Sequence, residues 1–69
     1  MYKMKRNDKI DMEILRFIRD NPNKGYDSII DGVFKKFMLS NFFRIHKIYR
    51  VDIWNRMLDL EEREMVKIR

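Results

Sequence analysis

The chain of 69 residues has no cysteine, one proline, two glycines and no long apolar run. Without cysteine it has neither a disulfide framework nor a thiolate metal site, and only its core can stabilise the fold. No apolar segment approaches the roughly 18 residues that span a bilayer, and the N-terminus lacks the apolar segment of a signal peptide. We therefore expect one domain, residues 1–69, in a reducing cytoplasm (the host's, if the protein is viral) and without a membrane partner.

The residue sets that usually carry catalysis are also missing. His46 is the single histidine, and no second histidine or cysteine joins it as a metal ligand. We find no Ser/His/Asp set, glycine-rich phosphate loop or zinc spacing, and so short a chain has little room for a substrate pocket. We expect no enzyme activity, catalytic residue, metal, cofactor or small-molecule substrate.

Positive charge is concentrated in two blocks. The formal net charge is +5, and 39% of the residues are charged. Residues 1–9 carry a net charge of +3, and residues 35–50 contain five cations and no acid. Such blocks are typical of a surface that attracts a polyanion, although a solubilising face is the alternative interpretation. We expect residues 1–7, which include Lys3, to form a flexible basic arm.

Two amphipathic helices are predicted in the first half of the chain. Ile10, Ile14, Phe17 and Ile18 share one helical face, and this first helix should end before Asn21-Pro22. We expect Asn7 or Asp8 to cap its first turn. The second helix is predicted over Tyr26–Met38, where apolar residues recur at helical spacing, and Gly32 within it indicates close packing against the first helix.

The segment from Ser40 to Tyr49 is ambiguous. Its apolar residues fit a helical side or a strand face equally well, and we favour a short helix because it lies between two predicted helices. A last helix is predicted over residues 50–64, with Ile53, Met57 and Leu60 as its core stripe and Asp52 as a candidate cap. Residues 65–69 alternate as in a short strand.

The C-terminal pattern M-L-D-L-E-E-R-E-M-V, residues 57–66, resembles the end of the recognition helix in winged-helix (helix-turn-helix) DNA-binding domains. The resemblance implies a mostly α fold of three to four helices with a short C-terminal strand. It also implies sequence-specific binding of double-stranded DNA and a role in transcription regulation. Glu64 stands where the family has glycine in a left-handed turn, so we expect a longer helix or a strained junction.

Two correspondences with the family remain open. In one, Tyr26–Met38 is the family's second helix and residues 40–49 are an insertion; in the other, residues 42–48 are the second helix and Tyr26–Met38 is an addition. The chain ends directly after the first expected wing strand, so a complete wing is not expected within one monomer. The strand would be absent or would pair elsewhere, for example with its copy in a homodimer.

The candidate DNA-binding residues are the cations of the second basic block and the polar residues on the outer side of the last helix. Asn55 could pair with adenine, and Arg50 or Arg56 could reach guanine or phosphate. For each of these three, a merely solvated position is the alternative. The full set is Lys35, Lys36, Arg44, Lys47, Arg50, Asn55 and Arg56.

Trp54 and Leu58 lie to one side of the core stripe of the last helix. Phe42 and Phe43 could cover them, or they could form a homodimer or partner interface. A rival function is therefore a small viral or plasmid-encoded protein-interaction module that docks through the surface of Trp54, Leu58, Phe42 and Phe43.

Overall fold

Four helices make up most of the computed structural model, which describes residues 5–68. They are α1 (Arg6–Asp20), α2 (Tyr26–Met38), α3 (Phe42–Ile45) and α4 (Arg50–Glu62). Helices α1, α2 and α4 each contact the other two, and α3 packs against α2. The predicted mostly α fold is thus confirmed as a four-helix globule measuring 32 × 23 × 21 Å. Within residues 5–68, no helix has the length and apolarity needed to cross a membrane.

The core lies where the three long helices meet. The predicted stripes supply it, because Ile53, Met57 and Leu60 of α4 are fully buried. The remaining core side chains are Ile10, Ile14, Ile29, Val33, Phe37 and Ile48. No buried side-chain nitrogen or oxygen in the described part of the chain lacks a hydrogen-bond partner. Glu13 is the one buried charged side chain among residues 5–68, and ion pairs compensate its charge, so the core is otherwise apolar.

Helix α1 begins earlier than the sequence suggested. The predicted cap at Asn7 or Asp8 is wrong, because the helix starts at Arg6 after Lys5, which makes no side-chain capping bond. Arg6 donates to the carbonyl of Lys47 and forms an ion pair with Asp52 at 2.8 Å. These contacts place Arg6, at the start of α1, against the connection to α4 and the first turn of α4. Residues 1–4, including Lys3, lie outside the described residues.

Helix α2 has the predicted bounds, and Gly32 explains how it approaches α1. A β-carbon at position 32 would overlap the ring of Phe17. The missing side chain therefore lets the two helices come close enough for the ring to cover the α2 backbone. The prediction that Gly32 marks close packing against the first helix is confirmed.

Only part of the ambiguous segment is helical. Helix α3 is limited to four residues, Phe42–Ile45, and residues 46–49 are not helical. Ile48, in this non-helical connection, is fully buried. The connection thus anchors the start of α4 through one apolar side chain, without a ladder of hydrogen bonds.

The chain after α4 does not form the predicted strand. Helix α4 ends at Glu62, before the predicted residue 64, and the described residues 65–68 contain no strand. Val66 and Ile68 are half-buried against the core, whereas Met65 and Lys67 are exposed. The alternating pattern therefore arises because every second side chain faces the core. Arg69 lies outside the described residues.

Glu64 adopts the left-handed conformation, with φ of 59°. The amide of Met65 donates to the carbonyl of Leu60, and the amide of Glu64 donates to that of Glu61, both at 2.9 Å. This pair of bonds is the Schellman arrangement that ends many helices, usually with glycine at the left-handed position. Of the two expectations for Glu64, the strained junction is the one observed.

Candidate nucleic-acid interface

Helix α4 is fixed at its N-terminal end by a local capping interaction. The amide of Tyr49 donates to Oδ2 of Asp52 at 2.8 Å. Asp52 is thus the third residue of the helix and not its cap. Its carboxylate still accepts a hydrogen bond from the backbone amide of Tyr49, the residue directly before the helix. The same carboxylate pairs with Arg6 of α1. The start of α4 therefore has a defined position relative to α1.

Arg56 faces α1 and not the solvent. Its Nε and Nη2 donate to the two oxygens of Asp11 at 2.7 and 2.8 Å. Nη2 also donates to Asp59 at 2.9 Å. The hydrogen bond to Asp11 is the main cause that raises the pKa of Arg56 above its ordinary value. Asp11 and Asp59 thus compensate the positive charge of Arg56, so this predicted groove residue is a poor candidate for contact with DNA.

Arg50 and Lys36 are also engaged within the chain. Arg50 forms an ion pair with Asp31 of α2, and its guanidinium lies 4.9 Å from the centre of the Phe34 ring. Lys36 pairs with Glu13 of α1 at 3.1 Å. Both cations remain more than half exposed, so solvent weakens these pairs. Their positive charge is partly offset by a neighbouring acid.

Lys35, Arg44 and Lys47 form the part of the predicted basic block without a local acid. Their side chains are exposed, and among residues 5–68 no acid pairs with them. Lys35 lies in the last turn of α2, Arg44 in α3 and Lys47 in the connection to α4. These three consecutive segments lead to the N-terminal end of α4. They bring uncompensated positive charge to the end of the helix that carries the positive pole of its dipole.

Asn55 is exposed on the outer side of α4. At 100° per residue it lies about 160° from the core residue Ile53, and none of residues 5–68 hydrogen-bonds to its side-chain amide. The second half of the helix carries the acids Asp59, Glu61 and Glu62. Only the first half of α4 therefore combines an available amide with nearby positive charge.

Trp54 and Leu58 lie on the side of α4 that faces α2. The ring of Trp54 is 4.9 Å from that of Tyr26, and the two side chains Trp54 and Leu58 remain 38% and 42% exposed. Phe42 packs instead against Phe37, with ring centres 5.8 Å apart. Of the two alternatives for this side face, cover by Phe42 and Phe43 is not observed for Trp54, because Tyr26 of α2 lies against its ring. Phe43 is itself half-buried against the core.

Tyr26 of α2 also contacts α4 through Glu61, near the C-terminal end of that helix. Its hydroxyl donates a hydrogen bond to Oε1 of Glu61. That bond is the main cause that raises the pKa of Tyr26, and partial burial and the negative charge of Glu61 raise it further. The phenol is held in its neutral, donating form.

Glu13 is a structurally important residue that the sequence patterns did not single out. It is 3% exposed, and Lys9, Arg16 and Lys36 lie 3.7, 3.3 and 3.1 Å from its carboxylate. Its position three residues after Ile10 and four before Phe17 puts it on the core side of α1. That spacing in the sequence could have indicated that Glu13 faces the core.

The described residues contain no group of three or more His, Asp or Glu side chains that could hold a metal ion. His46 lies beside the ring of Phe42, with ring centres 4.7 Å apart. It contributes to packing at the end of α3.

Comparison with protein-family models, curated proteins and solved structures finds no match for this chain.

Proposed function

We propose that this protein binds double-stranded DNA, with the N-terminal half of α4 entering the major groove. One observation supports this best: uncompensated cations lie on the three consecutive segments that lead to the N-terminal end of α4, whose outer side carries Asn55. A helix that enters the major groove with its N-terminal residues needs a base-reading side chain there and cations along the flanking backbone. By analogy with other modules of this kind, transcription regulation is the proposed role.

The proposed arrangement is winged-helix-like but has no wing strand within residues 5–68. Helix α2 packs against both α1 and α4, which favours the correspondence in which Tyr26–Met38 is the second helix. Helix α3 is then the short insertion, and it carries Arg44, one of the three uncompensated cations of the basic block.

Different residues have different proposed roles. Lys35, Arg44 and Lys47 contact phosphates, which position the protein and supply affinity without reading sequence. Asn55 pairs with adenine, whose N6 and N7 it can contact with its donor and its acceptor. Arg56 is left out because Asp11 and Asp59 bind it. Lys36 and Arg50 add weaker contributions because each has an acidic neighbour.

A fluorescence-anisotropy titration across a salt series tests the phosphate contacts. With three phosphates neutralised, log K should fall against log salt concentration with a slope of about −2.7, against about −4.5 for five. The smaller slope corresponds to about 40-fold weaker binding between roughly 50 and 200 mM salt. Absence of any affinity for duplex DNA at about 50 mM salt would overturn the proposal.

Two charge-matched double variants separate a defined surface from general positive charge. Arg44→Gln with Lys47→Gln removes two proposed phosphate contacts and should flatten the slope by about 1.8. Lys24→Gln with Lys67→Gln removes the same charge from exposed positions outside the basic block, and it should leave the slope unchanged. Equal effects of the two double variants would contradict a localised interface.

Base reading by Asn55 needs a separate experiment. Selection of bound sequences from a random pool identifies a preferred site, and Asn55→Ala should then reduce discrimination at one adenine by about 1–3 kcal/mol. Non-specific affinity should stay the same, because the phosphate contacts are unaltered. An unchanged site preference in the variant would remove Asn55 from the proposal.

Protein-partner binding is the second candidate, and the exposure of Trp54 and Leu58 is the observation that favours it. The surface is smaller than the sequence suggested, because Phe42 and Phe43 are half-buried against the core. Trp54→Arg should abolish partner binding and leave DNA affinity intact if this candidate is correct.

A further inference from the structure

Arg50, the first residue of α4, is held by two side chains of α2. Its guanidinium donates to Asp31 and lies 4.9 Å from the centre of the Phe34 ring. Asp31 and Phe34 are three residues apart on α2 and therefore lie on the same side of that helix. The two contacts together keep the Arg50 side chain against α2.

The position of Arg50 would otherwise suit a phosphate contact. It begins α4 at the end proposed to enter the major groove, and it follows the uncompensated Lys47 by three residues. A guanidinium binds phosphate oxygens and carboxylate oxygens with the same N–H groups. The carboxylate of Asp31 thus competes with a DNA phosphate for this side chain.

We propose that Asp31 is a positioning residue that lowers the affinity for DNA by holding Arg50 away from the phosphate backbone. This role rests on the proposed function, because it concerns the strength of DNA binding at the same site. Removal of the negative charge of Asp31 releases the guanidinium. Arg50 then becomes a fourth phosphate contact beside Lys35, Arg44 and Lys47.

The other acid that pairs with a cation of the basic block does not act in this way. Glu13, the partner of Lys36, is 3% exposed, and three cations lie within 3.7 Å of its carboxylate. Its charge is part of the packing between helices. Asp31 is 52% exposed, and among residues 5–68 only Arg50 forms an ion pair with it. The charge of Asp31 can therefore be removed with little effect on the fold.

Counterion release sets the size of the expected effect. One further phosphate contact steepens the slope of log K against log salt concentration by about 0.9, from about −2.7 to about −3.6. At about 0.1 M salt this contact corresponds to binding that is about eightfold tighter. Phosphate contacts do not read bases, so the preferred DNA sequence should stay the same.

A double-mutant cycle in DNA affinity, measured by fluorescence anisotropy across a salt series, tests this role. Asp31→Asn should bind duplex DNA about eightfold more tightly at about 0.1 M salt and with the steeper slope. Arg50→Gln alone should change the affinity by less than about twofold, because Asp31 already withholds that cation. Asp31→Asn should give no gain in the Arg50→Gln background. Asp31→Glu keeps the carboxylate and should bind like the unmodified chain.

Asp27→Asn is the control for overall charge. Asp27 is exposed on α2 one turn before Asp31, and none of the cations in residues 5–68 pairs with it. This variant gains the same charge without releasing Arg50, so its salt slope should equal that of the unmodified chain. Far-UV circular dichroism confirms that each variant keeps its helices.

The outcomes separate this role of Asp31 from DNA binding itself. If the unmodified chain binds duplex DNA but Asp31→Asn gains no more than Asp27→Asn, Asp31 has no such role and the proposed function stands. A gain that persists without Arg50, or a loss in Arg50→Gln as large as in Lys47→Gln, likewise overturns the role alone. Absence of duplex affinity in both the unmodified chain and Asp31→Asn overturns the proposed function as well.

Discussion

Arg56 of α4 and Asp11 of α1 form a two-point ion pair, with both guanidinium–carboxylate distances below 3 Å. The side chains are 22% and 14% exposed, so the pair lies at the edge of the core. A planar guanidinium and a planar carboxylate match in two bonds, which fixes direction as well as distance. The pair and the buried stripe of Ile53, Met57 and Leu60 together define the side of α4 that faces the other helices, and Asn55 lies on the outer side.

Arg56→Ala should destabilise the fold by about 2 kcal/mol, because it leaves the poorly exposed carboxylate of Asp11 without its main charged partner. Urea unfolding followed by circular dichroism measures the loss. Arg63 provides the control, since it also approaches Asp11 but at 3.6 Å and with 51% of its side chain exposed. Arg63→Ala should cost less than about 1 kcal/mol. Equal losses in the two variants would show that the two-point geometry is unimportant.

Glu64→Gly should stabilise the protein by about 0.5–1 kcal/mol, because the left-handed backbone at this helix end is strained for any residue with a β-carbon. Thermal unfolding checks the direction and size. Asn23, in the α1–α2 turn, also has a positive φ, of 70°. Asparagine tolerates this region, so Asn23→Gly should change stability less. A loss of stability in Glu64→Gly would contradict the proposed strain.

Gly32→Ala should destabilise the fold by about 1 kcal/mol, although alanine favours the helix by a similar amount. The overlap of the added methyl group with Phe17 is the reason, since overpacking commonly costs about 1–3 kcal/mol. Urea unfolding measures the change. Phe17→Leu introduced into the Gly32→Ala variant should recover part of the loss by making room. Ser28→Ala, at an exposed position of α2, should not destabilise.

Stability should fall as the pH rises above about 10, the ordinary pKa of tyrosine. The pKa of Tyr26 is raised in the folded protein, so its contribution is fully present below the unfolded-state value and is lost as pH rises through the folded-state value. The free energy of unfolding between about pH 8 and 11 measures this loss. Tyr26→Phe should make the dependence shallower, whereas Tyr49→Phe, at an exposed position without such a contact, should not.

The helices were predictable because their apolar residues repeat at helical spacing. The bounds of α2 and the buried stripe of α4 follow from that pattern, and Gly32 was identified as a packing site because glycine weakens a helix. The predictions failed for segments whose structure depends on contacts with other parts of the chain. Alternating Val66 and Ile68 suggested a strand, but no neighbouring strand exists in the described chain and both side chains pack on the helices instead.

The candidate site, too, was predictable from the sequence only in part. The sequence by itself determined that the chain is helical, that residues 35–50 carry five cations and no acid, and that Ile53, Met57 and Leu60 face inward. Only the tertiary structure decided which cations are uncompensated, because Asp11, Glu13 and Asp31 are distant in sequence from Arg56, Lys36 and Arg50 and reach them through helix packing. Periodicity within one helix determines its inner face. The charge that its outer surface presents depends on side chains from the other helices, since ion pairs form between groups that are close in space.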